Sequence, residues 1–155
     1  MSRAREIAGD PQRLQALCEL WREGERRVWL TMTTGSMVPA IPVGARFLLA
    51  CGSREPAPGE IVAFRRGAVL AVHRLMEIRD PGDGGGRRYL CRGDANPQPD
   101  PPLAREEIVG VVVRVLPLSP ADRLRCSFRR VMLRRPRLAR LLRWSGARLA
   151  GGSGR

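Results

Sequence analysis

The sequence predicts a mainly β fold: a small, coiled, antiparallel β structure with a short N-terminal helix and a basic C-terminal helical tail. Two observations predict it. Short apolar segments rich in β-branched residues recur through the middle of the chain, and 17 glycines and 13 prolines supply frequent turns between them. A chain of 155 residues is long enough for one domain with its own core and an appended segment.

The first segment, residues 1–27, is predicted to contain a helix. Asp10 is a favoured helix cap and Pro11 is favoured in the first turn. Apolar side chains then recur at helical spacing, at Leu14, Leu17, Cys18 and Trp21. This apolar face either packs on the β structure or docks on a partner or a membrane.

Residues 28–118 are predicted to form the β-rich core. Six stretches in it are predicted as strands: 28–33, 46–50, 60–64, 69–75, 88–92 and 108–116. The glycine-rich stretch 80–86 lies between two of them. It does not indicate a phosphate-binding loop, because no helix start and no Lys-Ser/Thr pair follow it.

The charge is divided unevenly along the chain. The net charge is +13, and all 28 basic residues are arginine. Residues 121–155 hold eleven arginines and one acid, whereas residues 1–120 hold seventeen arginines and fourteen acids. The segment 119–155 is therefore predicted to be a basic amphipathic helical tail, which either packs on the core or binds an anionic membrane surface or a membrane partner. Nucleic acid is a less favoured partner, because no aromatic stacking platform accompanies the arginines.

The four cysteines, Cys18, Cys51, Cys91 and Cys126, do not occur at metal-ligand spacing. We expect buried free thiols in a reducing compartment, with no metal and no cofactor. The N-terminus has no signal-peptide pattern, and no stretch is apolar enough to span a membrane. These features predict a cytoplasmic or peripherally membrane-associated protein.

The loop that contains Ser36 is the main candidate for chemistry. Gly35 and Pro39 flank this serine, so it is either an ordinary turn residue or a nucleophile presented at the tip of a rigid loop. The chain has no lysine, so no side-chain amine is available as a general base. His73 is the only histidine, so base chemistry through an imidazole near neutral pH must use His73. Asp94 and Asp100 lie in a proline-rich loop and can supply an acid to orient it.

The order of these motifs resembles type I signal peptidase. The resemblance covers Thr31 to Val115, and its most specific elements are Gly-Ser-Met-Val-Pro at 35–39 and Gly-Asp-Ala-Asn at 93–96. Most bacterial members use a serine-lysine dyad. Here the lysine position holds His73, which is similar to the serine-histidine branch of archaea, the endoplasmic reticulum and some Gram-positive bacteria. The resemblance implies the coiled β-fold of the signal peptidase and LexA catalytic cores.

The resemblance also implies a role for each candidate residue. Ser36 would attack the scissile carbonyl, and His73 would act first as general base and then as general acid. The Ser36 backbone N–H, with the Thr34 hydroxyl, would hold the oxyanion. Asp100 matches the acid that orients the histidine, and Asp94 matches a second acid that braces the loop. The family cleaves after small residues, and three apolar residues are expected either to line its shallow substrate pockets or to belong to the core: Met37, Val38 and Ile41.

The chain departs from the family in lacking the usual transmembrane anchor before the serine. It would then act at a membrane surface, act through a partner, or process leader peptides in the cytoplasm. A self-cleaving repressor of the LexA type is disfavoured, because it needs a lysine base and an N-terminal DNA-binding domain. The remaining alternative is a non-catalytic relative that binds peptides or scaffolds a membrane complex.

Overall fold

The computed structural model describes residues 10–52, 54–80, 82 and 86–118. All of these residues except Leu118 belong to one compact unit, which ends at Pro117. The predicted helical tail 119–155, Cys126 and most of the glycine-rich stretch 80–86 lie outside the described residues.

The predicted mainly β class is confirmed, because the described strands form one six-stranded antiparallel sheet. The strands are β1 (Arg27–Thr31), β2 (Arg46–Cys51), β3 (Ile61–Arg66), β4 (Val69–Arg79), β5 (Arg88–Arg92) and β6 (Ile108–Val115). Their order across the sheet is β1-β2-β6-β3-β4-β5. The last strand in sequence therefore lies in the middle, where it joins the β1-β2 hairpin to the β3-β4-β5 meander.

The helix α1 (Pro11–Glu23) precedes the sheet and begins at the predicted cap. The Asp10 side chain accepts hydrogen bonds from the backbone N–H groups of Gln12 and Arg13, at 3.0 and 3.3 Å. Leu14 and Cys18 are its buried side chains, and the helix contacts β6 and β4. Within the described residues, no helix is long and apolar enough to cross a bilayer.

Irregular pairings interrupt the sheet at three places. They occur between Leu48 and Leu49, between Ala63 and Phe64, and between Leu75 and Glu77. Such bulges bend a strand and increase its twist. β6 also needs a glycine, because a Cβ atom at Gly110 would collide with the backbone carbonyl of Ala50 on β2.

A cluster of buried apolar side chains joins β3, β4, β5 and β6. It consists of Val62, Phe64, Leu75, Tyr89, Cys91, Leu103, Ile108 and Val111. A short 3₁₀ helix at Arg105–Glu107 leads into β6 and follows Leu103, which pairs with Tyr89. The core therefore fixes the end of the proline-rich loop against β5.

The described cysteines are free and buried, as expected: Cys18, Cys51 and Cys91. Burial raises the pKa of the Cys51 thiol to about 11 and that of the Cys91 thiol to about 12. These thiols stay protonated at neutral pH and are poor nucleophiles.

Candidate active site

The Ser36 loop directly follows β1 and is closed by two backbone hydrogen bonds. The Val38 N–H donates to the Gly35 carbonyl at 3.2 Å, and the Ile41 N–H donates to the Met37 carbonyl at 2.7 Å. The Val38–Pro39 peptide bond is cis. These bonds compact the loop around a half-buried serine.

The three residues expected at the substrate pockets do not share one environment. Met37 and Ile41 are 0% exposed, so they offer no surface to a substrate and anchor the loop in the core. Of the two alternatives that the sequence left open for Met37 and Ile41, their burial favours core packing over a pocket wall. Val38 is half-buried and keeps some accessible surface.

The three polar groups of Ser36 differ in their hydrogen bonding. Its Oγ atom forms a hydrogen bond with Thr34 Oγ1 at 3.3 Å. Its carbonyl accepts from the Ala95 N–H at 2.8 Å. Its own backbone N–H donates no hydrogen bond within the described residues, so it is available to an oxyanion.

His73 lies on β4 opposite Val62 of β3 and is 8% exposed. Its ring makes a T-shaped contact with the ring of Phe64, with ring centroids 5.6 Å apart and an interplanar angle of 63°. Its Nδ1 atom lies 2.5 Å from Asp100 Oδ2. An ionised carboxylate can only accept a hydrogen bond, so this contact fits the imidazole tautomer that carries its hydrogen on Nδ1 and has Nε2 as a proton acceptor.

Two further hydrogen bonds hold Asp100 in place. Its backbone N–H donates to the Cys91 carbonyl on β5 at 2.8 Å. Its Oδ1 atom accepts from Arg66 Nη1 at 3.2 Å. Prolines precede and follow it in the loop, which limits the conformations that the loop must lose on ordering.

Asp94 is bound by Arg74 and forms no hydrogen bond or ion pair with His73. Arg74 Nε and Nη2 donate to the two Asp94 oxygens at 2.9 and 2.7 Å, and Arg74 Nη1 donates to the Gly59 carbonyl at 2.8 Å. The hydrogen bonds from Arg74 lower the pKa of the Asp94 carboxyl. Asp94 therefore braces its loop against β4 and the turn at Gly59, while Asp100 contacts the histidine.

Gly93 brings the Ser36 loop to the histidine strand. The last β4–β5 pair is Arg74 with Arg92, so Gly93 is the next position along β5 and His73 the next along β4. A Cβ atom on Gly93 would lie 2.7 Å from the Ser36 carbonyl oxygen. Only glycine permits this approach.

The side chains of Ser36 and His73 are not hydrogen-bonded to each other in the described part of the chain, and the Ser36 hydroxyl is paired with Thr34 instead. The His73 Nε2 atom likewise has no hydrogen-bond partner among the described residues. The structure thus brings together His73, Asp100 and the loop that binds the Ser36 carbonyl, and the Ser36 hydroxyl is hydrogen-bonded to Thr34 in its own loop.

We expect Gly93→Ala to lower the free energy of unfolding by about 1–3 kcal/mol, because the added methyl group meets a backbone oxygen that cannot move without shifting the Ser36 loop. Urea denaturation at 25 °C measures it. Gly35→Ala is the matched control, since its Cβ would meet only two methyl groups at 4.0 Å. Its stability should change by less than about 1 kcal/mol. Equal stability of the two variants would contradict the close approach.

Sequence reasoning gave no role to four contributors to this site, although one of them, Gly93, belongs to the Gly-Asp-Ala-Asn motif at 93–96: Phe64, Arg66, Arg74 and Gly93. The predicted strand 60–64 stops short of Arg66, but β3 continues through it. The alternation of side chains along a strand could have placed it on the face of Val62 and Phe64. Its contact with Asp100 has no local sequence signal, because 34 residues separate the two.

No protein-family model matches the chain. No curated protein matches it either.

Proposed function

We propose that the protein is a serine endopeptidase of the signal peptidase type, with Ser36 as nucleophile and His73 as base. It would cleave a leader or signal-like peptide after a small residue. The proposal includes the fold suggested by the motif order, the coiled β core of signal peptidases and LexA.

The observation that carries the proposal is the 2.5 Å contact between His73 Nδ1 and Asp100 Oδ2. It selects the tautomer in which Nε2 can accept a proton, and it supplies a negative charge to stabilise the imidazolium that forms. An acid placed in this way, beside the only histidine and on the loop that holds the Ser36 carbonyl, is what a serine-histidine peptidase requires.

The proposed reaction follows from these positions. The Ser36 hydroxyl gives its proton to His73 Nε2 as Oγ attacks the scissile carbonyl carbon. The negative charge that develops on the carbonyl oxygen is held by the Ser36 backbone N–H and the Thr34 hydroxyl. The imidazolium then gives the proton to the leaving amine, and water hydrolyses the acyl-enzyme by the same route with His73 as base again.

Before the attack, the Ser36 hydroxyl must leave Thr34 and form a hydrogen bond with His73 Nε2. A serine side chain redirects its hydroxyl by changing χ1 between staggered positions. Catalytic hydrogen bonds are often loose in the free enzyme and tighten when substrate binds. The freed Thr34 hydroxyl then becomes available to the oxyanion.

The bond between Thr34 and Ser36 also favours a second candidate function. A relative that binds peptides without cleaving them, or that scaffolds a membrane complex, has no need to present its serine to the histidine. This candidate keeps the same fold and the same extended peptide partner.

The substrate would be met in one of two settings. A signal-like peptide would be met at an anionic membrane surface or beside a membrane partner, reached through residues 119–155. A leader peptide would be met in the cytoplasm. We do not propose nucleic acid as a substrate or partner.

The test is cleavage of extended peptides that differ only in the residue before the scissile bond, followed by mass spectrometry. We expect cleavage after alanine, glycine or serine, and kcat/KM at least about tenfold lower when leucine or phenylalanine replaces them. Tight binding of the alanine peptide without cleavage would support the non-catalytic candidate. Cleavage at equal rates after every residue would contradict the proposed specificity.

A further inference from the structure

Arg66 lies on the same face of the sheet as the candidate base. Side chains alternate along a strand, so Val62, Phe64 and Arg66 of β3 share one face. His73 is paired with Val62, and paired residues on adjacent strands point to the same side of a sheet. No hydrogen bond or ion pair joins Arg66 to His73 directly, and both are bonded to Asp100. Any influence of Arg66 on the histidine therefore passes through this carboxylate.

The Asp100 carboxylate has one partner on each oxygen. Oδ2 lies 2.5 Å from His73 Nδ1, and Oδ1 accepts from Arg66 Nη1 at 3.2 Å. The bond from the Asp100 N–H to the Cys91 carbonyl fixes the backbone but leaves the side chain free to rotate. With the ring as its only partner, the carboxylate could turn about that one bond. A second donor on the other oxygen fixes the plane of the carboxylate.

The Arg66 guanidinium is itself held by an aromatic ring. It lies over Phe64, 5.8 Å from the ring centroid, where a cation is attracted to the aromatic face. The same ring makes the T-shaped contact with His73, and Phe64 is fully buried. The contacts thus form a closed circuit, in which Arg66, Asp100, His73 and Phe64 each touch two of the others. Such a circuit restricts the rotamers of all four side chains.

Exposure distinguishes Arg66 from the two residues that it orients. The Arg66 side chain is 45% exposed, whereas the side chains of Asp100 and His73 are each 11% exposed. An ion pair with one exposed partner adds little to stability, because water screens it. A charge-assisted hydrogen bond to a mostly buried carboxylate still sets the direction of that carboxylate. Loss of Arg66 should therefore affect orientation more than folding.

We propose that Arg66 is a positioning residue. It holds Asp100 Oδ1, so that Oδ2 stays aimed at His73 Nδ1 and the neutral imidazole keeps its hydrogen on Nδ1. Nε2 then remains the proton acceptor of the ring. The effect of Arg66 on catalysis rests on the proposed peptidase function, whereas its effect on the ring does not.

The first experiment is ¹⁵N NMR of the His73 imidazole in the full chain, without substrate and at a pH where the ring is neutral. Arg66→Met nearly keeps the reach of the side chain and removes its donors and charge. We expect the ratio of the Nδ1–H to the Nε2–H tautomer to fall about tenfold, the effect of weakening one hydrogen bond to a charged group.

Arg65→Met is the matched control for this measurement. It removes the same charge from the next residue of β3, whose side chain lies on the opposite face of the sheet. The tautomer ratio should change less than about twofold, because a charge without contact to the site is screened. An unchanged ratio in Arg66→Met, or an equal fall in both variants, would overturn the proposal.

The second experiment is chemical rescue of Arg66→Ala, which opens a space at a position that solutes can reach. Guanidinium chloride at millimolar concentrations, far below its denaturing range, should raise the lowered tautomer ratio by at least about threefold. Sodium chloride at the same concentration should not raise it, because sodium lacks the planar donors that match a carboxylate. No rescue by guanidinium, or equal rescue by sodium chloride, would overturn the proposal.

The third experiment links the ring to catalysis through a peptide assay. Arg66→Met should lower kcat about tenfold and leave KM within about threefold, while Arg65→Met should change neither by more than about threefold. An unchanged urea midpoint in Arg66→Met shows that the fold is kept. If the unmodified protein cleaves no peptide but its tautomer ratio responds to Arg66→Met, the peptidase proposal fails and the positioning role stands. If it cleaves and the ratio does not respond, the positioning role fails alone.

Discussion

Ser36→Ala and His73→Ala are each expected to reduce kcat/KM for cleavage of an alanine-containing peptide by at least about 10³-fold. Ser36→Ala removes the atom that attacks the carbonyl. His73→Ala removes the only imidazole in a chain that has no lysine to replace it. A steady-state peptide assay measures both losses.

The double variant Ser36→Ala with His73→Ala should be no slower than the slower single variant, because residues that act in one step are strongly non-additive. Thr33→Ala is the matched control for the loop, since Thr33 is an exposed hydroxyl residue three positions before Ser36. It should leave kcat/KM within about threefold of the unmodified protein. Undiminished turnover in either single variant would refute the proposed mechanism.

The strands could be predicted because their sequences carry local signals. β5 has the predicted bounds, and α1 begins where Asp10 and Pro11 predicted. β4 extends four residues beyond its predicted end at Leu75, through Met76 to Arg79. Its last residues alternate polar and apolar side chains and pair with β5, so tertiary pairing prolongs a strand where the continuous apolar run stops.

The sequence could identify the residues of the candidate site but could not say which of them meet. Asp94 and Asp100 are both acids in one loop, and both were plausible partners for His73. Arg74 donates hydrogen bonds to both oxygens of Asp94, and the Cys91 carbonyl accepts one from the Asp100 backbone. These contacts determine that Asp100, and not Asp94, is the acid bonded to His73. These contacts join residues far apart in the chain, so local pattern cannot reveal them.

The sequence also could not show which apolar side chains of the Ser36 loop are buried. Apolar residues beside a candidate nucleophile have the same composition whether they line a pocket or fill a core. Met37 and Ile41 turn inward because the loop closes on itself, with the Ile41 N–H bonded to the Met37 carbonyl. Only the folded loop distinguishes the two cases.

Asp100→Asn is expected to reduce kcat by about 10⁴-fold while KM changes little. An asparagine can turn its NH₂ group towards Nδ1, which then accepts a hydrogen bond, so the ring hydrogen moves to Nε2 and the ring can no longer take the serine proton. The change is nearly isosteric, and it also removes the charge that stabilises the imidazolium. Because His73 is the only histidine, ¹⁵N NMR of the imidazole reports the tautomer without ambiguity.

Asp94→Asn is the matched control, the same substitution six residues earlier in the same loop. It weakens the bond to Arg74, an ion pair with partly exposed side chains, so we expect about 1 kcal/mol of lost stability and less than about tenfold loss of kcat. The His73 tautomer should stay unchanged, because the ring is hydrogen-bonded to Asp100 and not to Asp94. If Asp94→Asn moved the hydrogen to Nε2 and Asp100→Asn did not, the acid that orients the histidine would be Asp94, and the contact between Asp100 and His73 would be structural.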